Sequence, residues 1–126
     1  MKRTPVSSSK APAAIGPYSQ GIGAGEFVFV SGQTPLRADG TLVDGTTAEQ
    51  TEQCLRNVRE VLLAAGLDMD RVVKTTVYMT ELGRFSEMNE VYARHFAAPF
   101  PARATVEVSA LPKGASVEID AIATRA

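Results

Sequence analysis

The apolar positions of this chain follow two periods, and the changes between them mark its elements. Phe27, Val28, Phe29 and Val30 form a continuous apolar run, which predicts a strand covered on both faces. It follows the glycine-rich stretch "YSQGIGAG", residues 18 to 25, which reads as a turn between strands. Pro35 and Asp39-Gly40 then break the chain, Asp-Gly being a strong tight-turn signal. From Thr46 the period changes. Thr51, Cys54, Leu55, Val58, Leu62 and Ala65 recur at spacings of three and four, which predicts one buried helix face. Thr46 and Glu49 form a capping-box pattern ahead of it, and Gly66 is a natural stop. The β-branched stretch "VVKTTVYMT", residues 72 to 80, predicts a central strand. A second helix is expected from about Arg84 to His95. Phe85, Met88, Tyr92 and Phe96 supply its stripe, and Pro99 and Pro101 end it. The segment "FPARATVEVSALPKGASVEIDAIA", residues 100 to 123, reads as two amphipathic strands around a turn at Pro112 and Lys113. The order β-β-α-β-α-β-β predicts an α+β domain with one sheet and both helices on one of its faces.

Such a two-layer arrangement leaves the second sheet face open. Val106 and Val108 alternate with Thr105, Glu107 and Ser109, and Val117 and Ile119 alternate with Glu118 and Asp120. One face of each strand has a helix layer available, and the other needs water or a second subunit. Oligomerisation is therefore expected from the pattern alone. Residues 1–10 read as a polar arm ahead of a single domain over 11–126, since 126 residues leave no room for a second core.

Composition narrows the function. The formal net charge of -1 provides no global field to draw the chain onto nucleic acid. Cys54 is the single cysteine, so no disulfide forms within the chain, and on a helix's apolar face it behaves as a small hydrophobe. No apolar run approaches the ~20 residues of a membrane span. The opening residues lack a hydrophobic signal core, so a cytoplasmic protein is expected. His95 is the only histidine, which leaves a histidine metal cluster or a Ser-His-Asp triad without material. No phosphate-binding glycine loop of the G-x-x-x-x-G-K-[ST] type occurs.

Arginine, carboxylates, hydroxyls and backbone remain. Arg103, at the start of a strand, can grip a carboxylate through two parallel hydrogen bonds. Glu118 can position or deprotonate water. If the last two strands form a simple hairpin, Glu118 faces Glu107 and Arg103 faces Ile122. Arg103 and Glu118 then share a face about 13 Å apart, and two glutamates oppose each other unfavourably. A shared site would need another register or a subunit boundary.

The motifs "APAAIGPYSQ", "VFVSGQTP", "VVKTTVYMTEL" and "FPARATVEVSALPKGASVEIDAIA", in this order, resemble the RidA family over about Ala11 to Ala123. The resemblance is closest to members that are 2-iminobutanoate/2-iminopropanoate deaminases. It implies a chorismate-mutase-like fold and a homotrimer with a cleft at each subunit interface. It also implies that Arg103 binds the substrate carboxylate and that Glu118 orients the attacking water. Tyr18, Ser31 and Gly32 would line the cleft, with Asn89 as a further contributor. Thr105 stands where many members have cysteine, and it preserves the backbone groups of that position.

The implied activity is hydrolysis of enamine-derived imines, such as those from 2-aminoacrylate and 2-aminocrotonate, to 2-keto acids and ammonia. A protonated imine is already an electrophile, so neither metal nor cofactor is needed. The alternatives are a sensor that binds small 2-keto acids or other carboxylates without turnover and, from the wider family, a ribonuclease or translation inhibitor.

Overall fold

The computed structural model describes residues 2–126. Six strands form one mixed sheet: β1 (Arg3–Val6), β2 (Gly21–Ala24), β3 (Phe27–Gln33), β4 (Val72–Met79), β5 (Ala102–Glu107) and β6 (Val117–Thr124). Two helices, α1 (Thr47–Ala64) and α2 (Phe85–His95), cover one face. The strand order across the sheet is β1-β2-β3-β6-β4-β5. This is the expected α+β architecture with one strand added at the front. The residues read as a polar arm contain β1, which pairs with β2, so the sheet takes in Arg3–Val6 ahead of the expected domain start.

The glycine-rich stretch is also more regular than expected. Gly21–Ala24 is a strand, and only the residues around Gly25 turn. The physical reason is helix packing. A Cβ on Gly21 would stand 2.9 Å from Val61 Cγ1 of α1, so glycine lets the helix lie directly on the β2 backbone.

Helix α1 forms as its sequence predicts. Thr46 Oγ1 accepts the Glu49 amide at 3.2 Å, and Glu49 Oε1 accepts the Thr46 amide at 3.0 Å. At the other end the Leu67 amide returns to the Leu62 carbonyl and the Gly66 amide to that of Leu63, which satisfies carbonyls the helix leaves open. Its buried stripe of Cys54, Leu55, Val58, Val61 and Leu62 meets Val28 and Val30 of β3, Val77 and Met79 of β4, and Val117, Ile119 and Ala121 of β6. Each fully buried aliphatic side chain contributes about 1.5–3 kcal/mol. Cys54 is entirely buried, and burial pushes its thiol pKa well up, so it acts as core.

The last two strands depart from the expected hairpin. β5 and β6 do not pair; β4 lies between them, parallel to β5 and antiparallel to β6. The connection over residues 108–116 is long enough to cross the end of β4. The opposition of Glu107 and Glu118 therefore never arises, and Glu107 instead accepts the Leu82 amide at 2.9 Å. β3 also differs from its expectation of cover on both faces. Val28 and Val30 are buried, but Phe27 and Phe29 on the helix-free face are 43% and 45% exposed.

Candidate active site

Glu118 stands on the helix-free face of β6, where its neighbours along the strand are Asp120 and Ile122. Beside it, β3 carries a bulge. Val30 pairs with Ala121 and Gln33 with Ile119, so Ser31 and Gly32 together oppose Asp120. The bulge brings the backbone of Gly32 under the Glu118 carboxylate. A Cβ at position 32 would overlap that carboxylate and lie 2.9 Å from its Cδ, so glycine is required for this approach. Ser31 fixes the bulge. Its amide donates to the Gln20 carbonyl and its hydroxyl to the Ser19 carbonyl. Glu118, Gly32 and Tyr18 line one cavity of about 370 Å³, together with Ile15, Leu36 and Lys113.

Burial, and secondarily the charge of Asp120, raise the Glu118 carboxyl above the ordinary glutamate range. Asp120 is itself well held. Its carboxylate accepts the Thr76 amide at 3.1 Å and the Tyr78 hydroxyl at 2.9 Å. A carboxylate with an elevated proton affinity, next to a carboxylate fixed by donors, is suited to taking a proton from water.

Arg103 belongs to a second cavity, also of about 370 Å³. It stands on β5, an edge strand, and points to the helix layer. Its Nη1 donates to Asn89 Oδ1 at 2.8 Å. The guanidinium carbon lies 4.7 Å from the centre of the Tyr92 ring and 5.4 Å from that of Phe85. The Tyr92 hydroxyl is bonded to Thr75 Oγ1 at 2.7 Å, which holds the ring in place. This cage restricts a flexible side chain while using one N–H for Asn89, and the rest of the fork remains available to a carboxylate. Phe100 and Pro101 complete the cavity wall. Thr105, two residues along the same strand face, has a buried hydroxyl with no hydrogen-bond partner among the described residues.

The expected site residues thus separate into two groups. Tyr18, Gly32 and Glu118 share one cavity, with Ser31 supporting it, while Asn89 and Arg103 share the other, with Thr105 on the same strand. Arg103 is level with Thr75 and Ala121, and Glu118 with Tyr78. The two charges are therefore three positions apart along the sheet and two strands apart across it, about 14 Å between backbones. Their side chains also leave opposite faces, since Thr75 and Ala121 are buried under the helices and Tyr78 is not. This corrects the shared face of the hairpin reading. One chain does not bring Arg103 and Glu118 to one small molecule.

His95 takes no part in either group; its Nε2 is bonded to Glu52 Oε1 at 2.8 Å. Two contributors escaped the sequence. Tyr92 read as core stripe, and nothing in its spacing tells that an edge-strand arginine crosses its ring. Gln20 follows Tyr18 in a glycine-rich stretch that offers no sign of a buried amide.

Comparison with known proteins adds three findings. The profile of the family described as Endoribonuclease L-PSP matches residues 8–125. The chain is 49% identical over 121 residues to the 2-iminobutanoate/2-iminopropanoate deaminase of Bos taurus, covering 95% of this chain and 88% of that one. Its fold superposes on the crystal structure of E. coli TdcF with bound serine with a TM-score of 0.92 at 39% identity, over 98% of this chain and 99% of the other.

Proposed function

The chain belongs to the Endoribonuclease L-PSP family, the RidA family of the sequence resemblance, and from that membership we propose that it hydrolyses short 2-imino acids to 2-keto acids and ammonia. Relatives named as 2-iminobutanoate/2-iminopropanoate deaminases at 46–49% identity support the reaction class. The observation that carries the reading to this chain is a caged arginine in one cavity and, in a separate cavity, a buried glutamate of raised proton affinity.

In this reading the substrate carboxylate lies on the free fork of Arg103, with two parallel N–H···O bonds that fix its plane. Asn89, Tyr92 and Phe85 keep the fork oriented before substrate arrives, which lowers the ordering cost on binding. Water held by Glu118 adds to the carbon of the protonated imine, and Glu118 takes the proton that the water releases. The tetrahedral amino alcohol then collapses. Glu118 returns its proton to nitrogen and then takes the hydroxyl proton as the carbonyl forms and ammonia departs; ammonia carries that proton away as ammonium, which resets the carboxylate. Atoms and charge balance with water alone as co-reactant.

The site spans two copies of the chain. Arg103 comes from one subunit and Glu118 from its neighbour, in a homotrimer with three equivalent clefts. Support for this comes from the separation of the two groups on one chain and from the exposed Phe27, Phe29 and Val106 on the helix-free face.

The test uses an amino acid oxidase to generate the imine and semicarbazide to trap it. Purified protein is expected to lower the yield of trapped imine, and Arg103→Ala to restore it. An unchanged yield with the wild-type protein, or equal protection by Arg103→Ala, contradicts the assignment. The serine-bound relative favours one second reading, a sensor that holds small carboxylates without turnover. Calorimetric binding of 2-ketobutyrate in a preparation that does not lower trapping would select it.

A further inference from the structure

Gln20 is a polar side chain only 4% exposed, in the short stretch between Tyr18 and β2. Its carboxamide is heavily used. Oε1 accepts the Ser8 amide at 2.6 Å, and Nε2 donates to the carbonyls of Ser8 at 3.1 Å, Pro12 at 2.8 Å and Ala11 at 3.4 Å. Its backbone carbonyl accepts the Ser31 amide at 2.9 Å, in the bulge that seats Glu118. One residue thus ties the segment 8–12 to the floor of the Glu118 cavity.

Between those anchor points runs the loop 13–19. Two large side chains stand on it, Ile15 at 75% and Tyr18 at 53% exposure, and both line the cavity that contains Glu118. The loop has no apolar core of its own to fix its path. A loop of this kind is defined by its end anchors, and here the buried carboxamide is the main one. Apolar groups held in water beside a reacting acid invite an apolar ligand group.

We propose that Gln20 is a positioning residue that holds the loop 13–19 over the Glu118 cavity, so that Ile15 and Tyr18 receive the alkyl side chain of the imino acid. This rests on the imine reading and deepens it. The loop decides which imines are turned over well, while Arg103 and Glu118 decide that they are turned over at all. Exchanging the amide of Gln20 for a carboxylate keeps the size but turns two donors toward three carbonyls into acceptors, which the clasp cannot accommodate.

The experiment compares imines made by a D-amino acid oxidase from D-leucine and from D-alanine. In Ile15→Ala and in Gln20→Glu, the ratio of kcat/KM for the leucine-derived over the alanine-derived imine is expected to fall about tenfold or more, the size of effect that lost side-chain contacts produce. An unchanged ratio in Ile15→Ala, or an equal loss on both imines in Gln20→Glu, overturns the proposal. Hydrogen exchange supplies the readout that needs no turnover. Gln20→Glu is expected to speed exchange at the Ser8 amide and across 13–19 while β3 and β4 stay protected. Unchanged exchange there overturns the clasp, whereas absence of imine turnover by the wild-type protein, together with a loosened loop in Gln20→Glu, contradicts the activity reading alone.

Discussion

Glu118 carries opposing demands. Burial and the charge of Asp120 raise its proton affinity in the folded chain, and unfolding relieves both. The folded state therefore binds the proton more tightly than the unfolded state. The stability this group contributes is fully present below the ordinary glutamate range and is lost as pH rises through the raised folded value. Above that value the ionised carboxylate is a cost that glutamine does not have. A neighbouring copy's Arg103 would pull the same carboxyl the other way, so the comparison belongs in an Arg103→Ala background. There, adding Glu118→Gln is expected to raise Tm at about pH 8 and to leave it unchanged at about pH 4. An equal or lower Tm at the higher pH would contradict the raised proton affinity. Among single residues, the sequence showed Arg103 and Glu118 as charges in strands and Cys54 as core. It did not show the Tyr92 ring under Arg103 or the buried amide of Gln20. Those depend on which distant segments meet, and no local pattern encodes that.

At the level of elements, legibility followed how local the determining forces are. Helix α1 was fully legible, because its capping box, its apolar stripe and its stop lie within about twenty residues of one another. Its packing gives a direct expectation. Leu62 is fully buried against the sheet, so Leu62→Ala should lower unfolding free energy by about 2–5 kcal/mol. Chemical denaturation measures this, and a loss well under about 1 kcal/mol would mean that the helix does not seal the core as described. The strands were less legible. Alternation over residues 102–107 and 117–124 announced two strands but carried no information on pairing. Joining them as a hairpin was the shortest solution, yet β4, with Thr75, Val77 and Met79 buried on one face, takes the central place between them. β1 was missed for a related reason. Arg3, Thr4 and Pro5 are exposed edge residues, and an edge strand needs no apolar alternation.

For the whole molecule, one chain has two separate cavities, one with Arg103 and one with Glu118, and an uncovered sheet face. Phe27 and Phe29 lie on that face, and Val106 is 40% exposed on the edge strand β5. The open second face was predicted from the two-layer pattern. The hairpin reading placed both charges on one face and left another register or a subunit boundary to bring them together. With the observed strand order, Arg103 and Glu118 leave opposite faces, so one chain does not bring them to one small molecule, and the function proposed above pairs each with a residue of a neighbouring copy. The central claim is therefore that each active site takes Arg103 from one subunit and Glu118 from its neighbour. Mixing subunits tests it. Arg103→Ala and Glu118→Gln chains, each expected to be inactive alone, are unfolded together in equal amounts, refolded and assayed for imine hydrolysis. If sites form between copies, random assembly in a closed ring restores an intact pair at about a quarter of the sites, and activity should return to about that fraction of wild type. If both residues serve a site within one chain, the mixture will stay as inactive as its components.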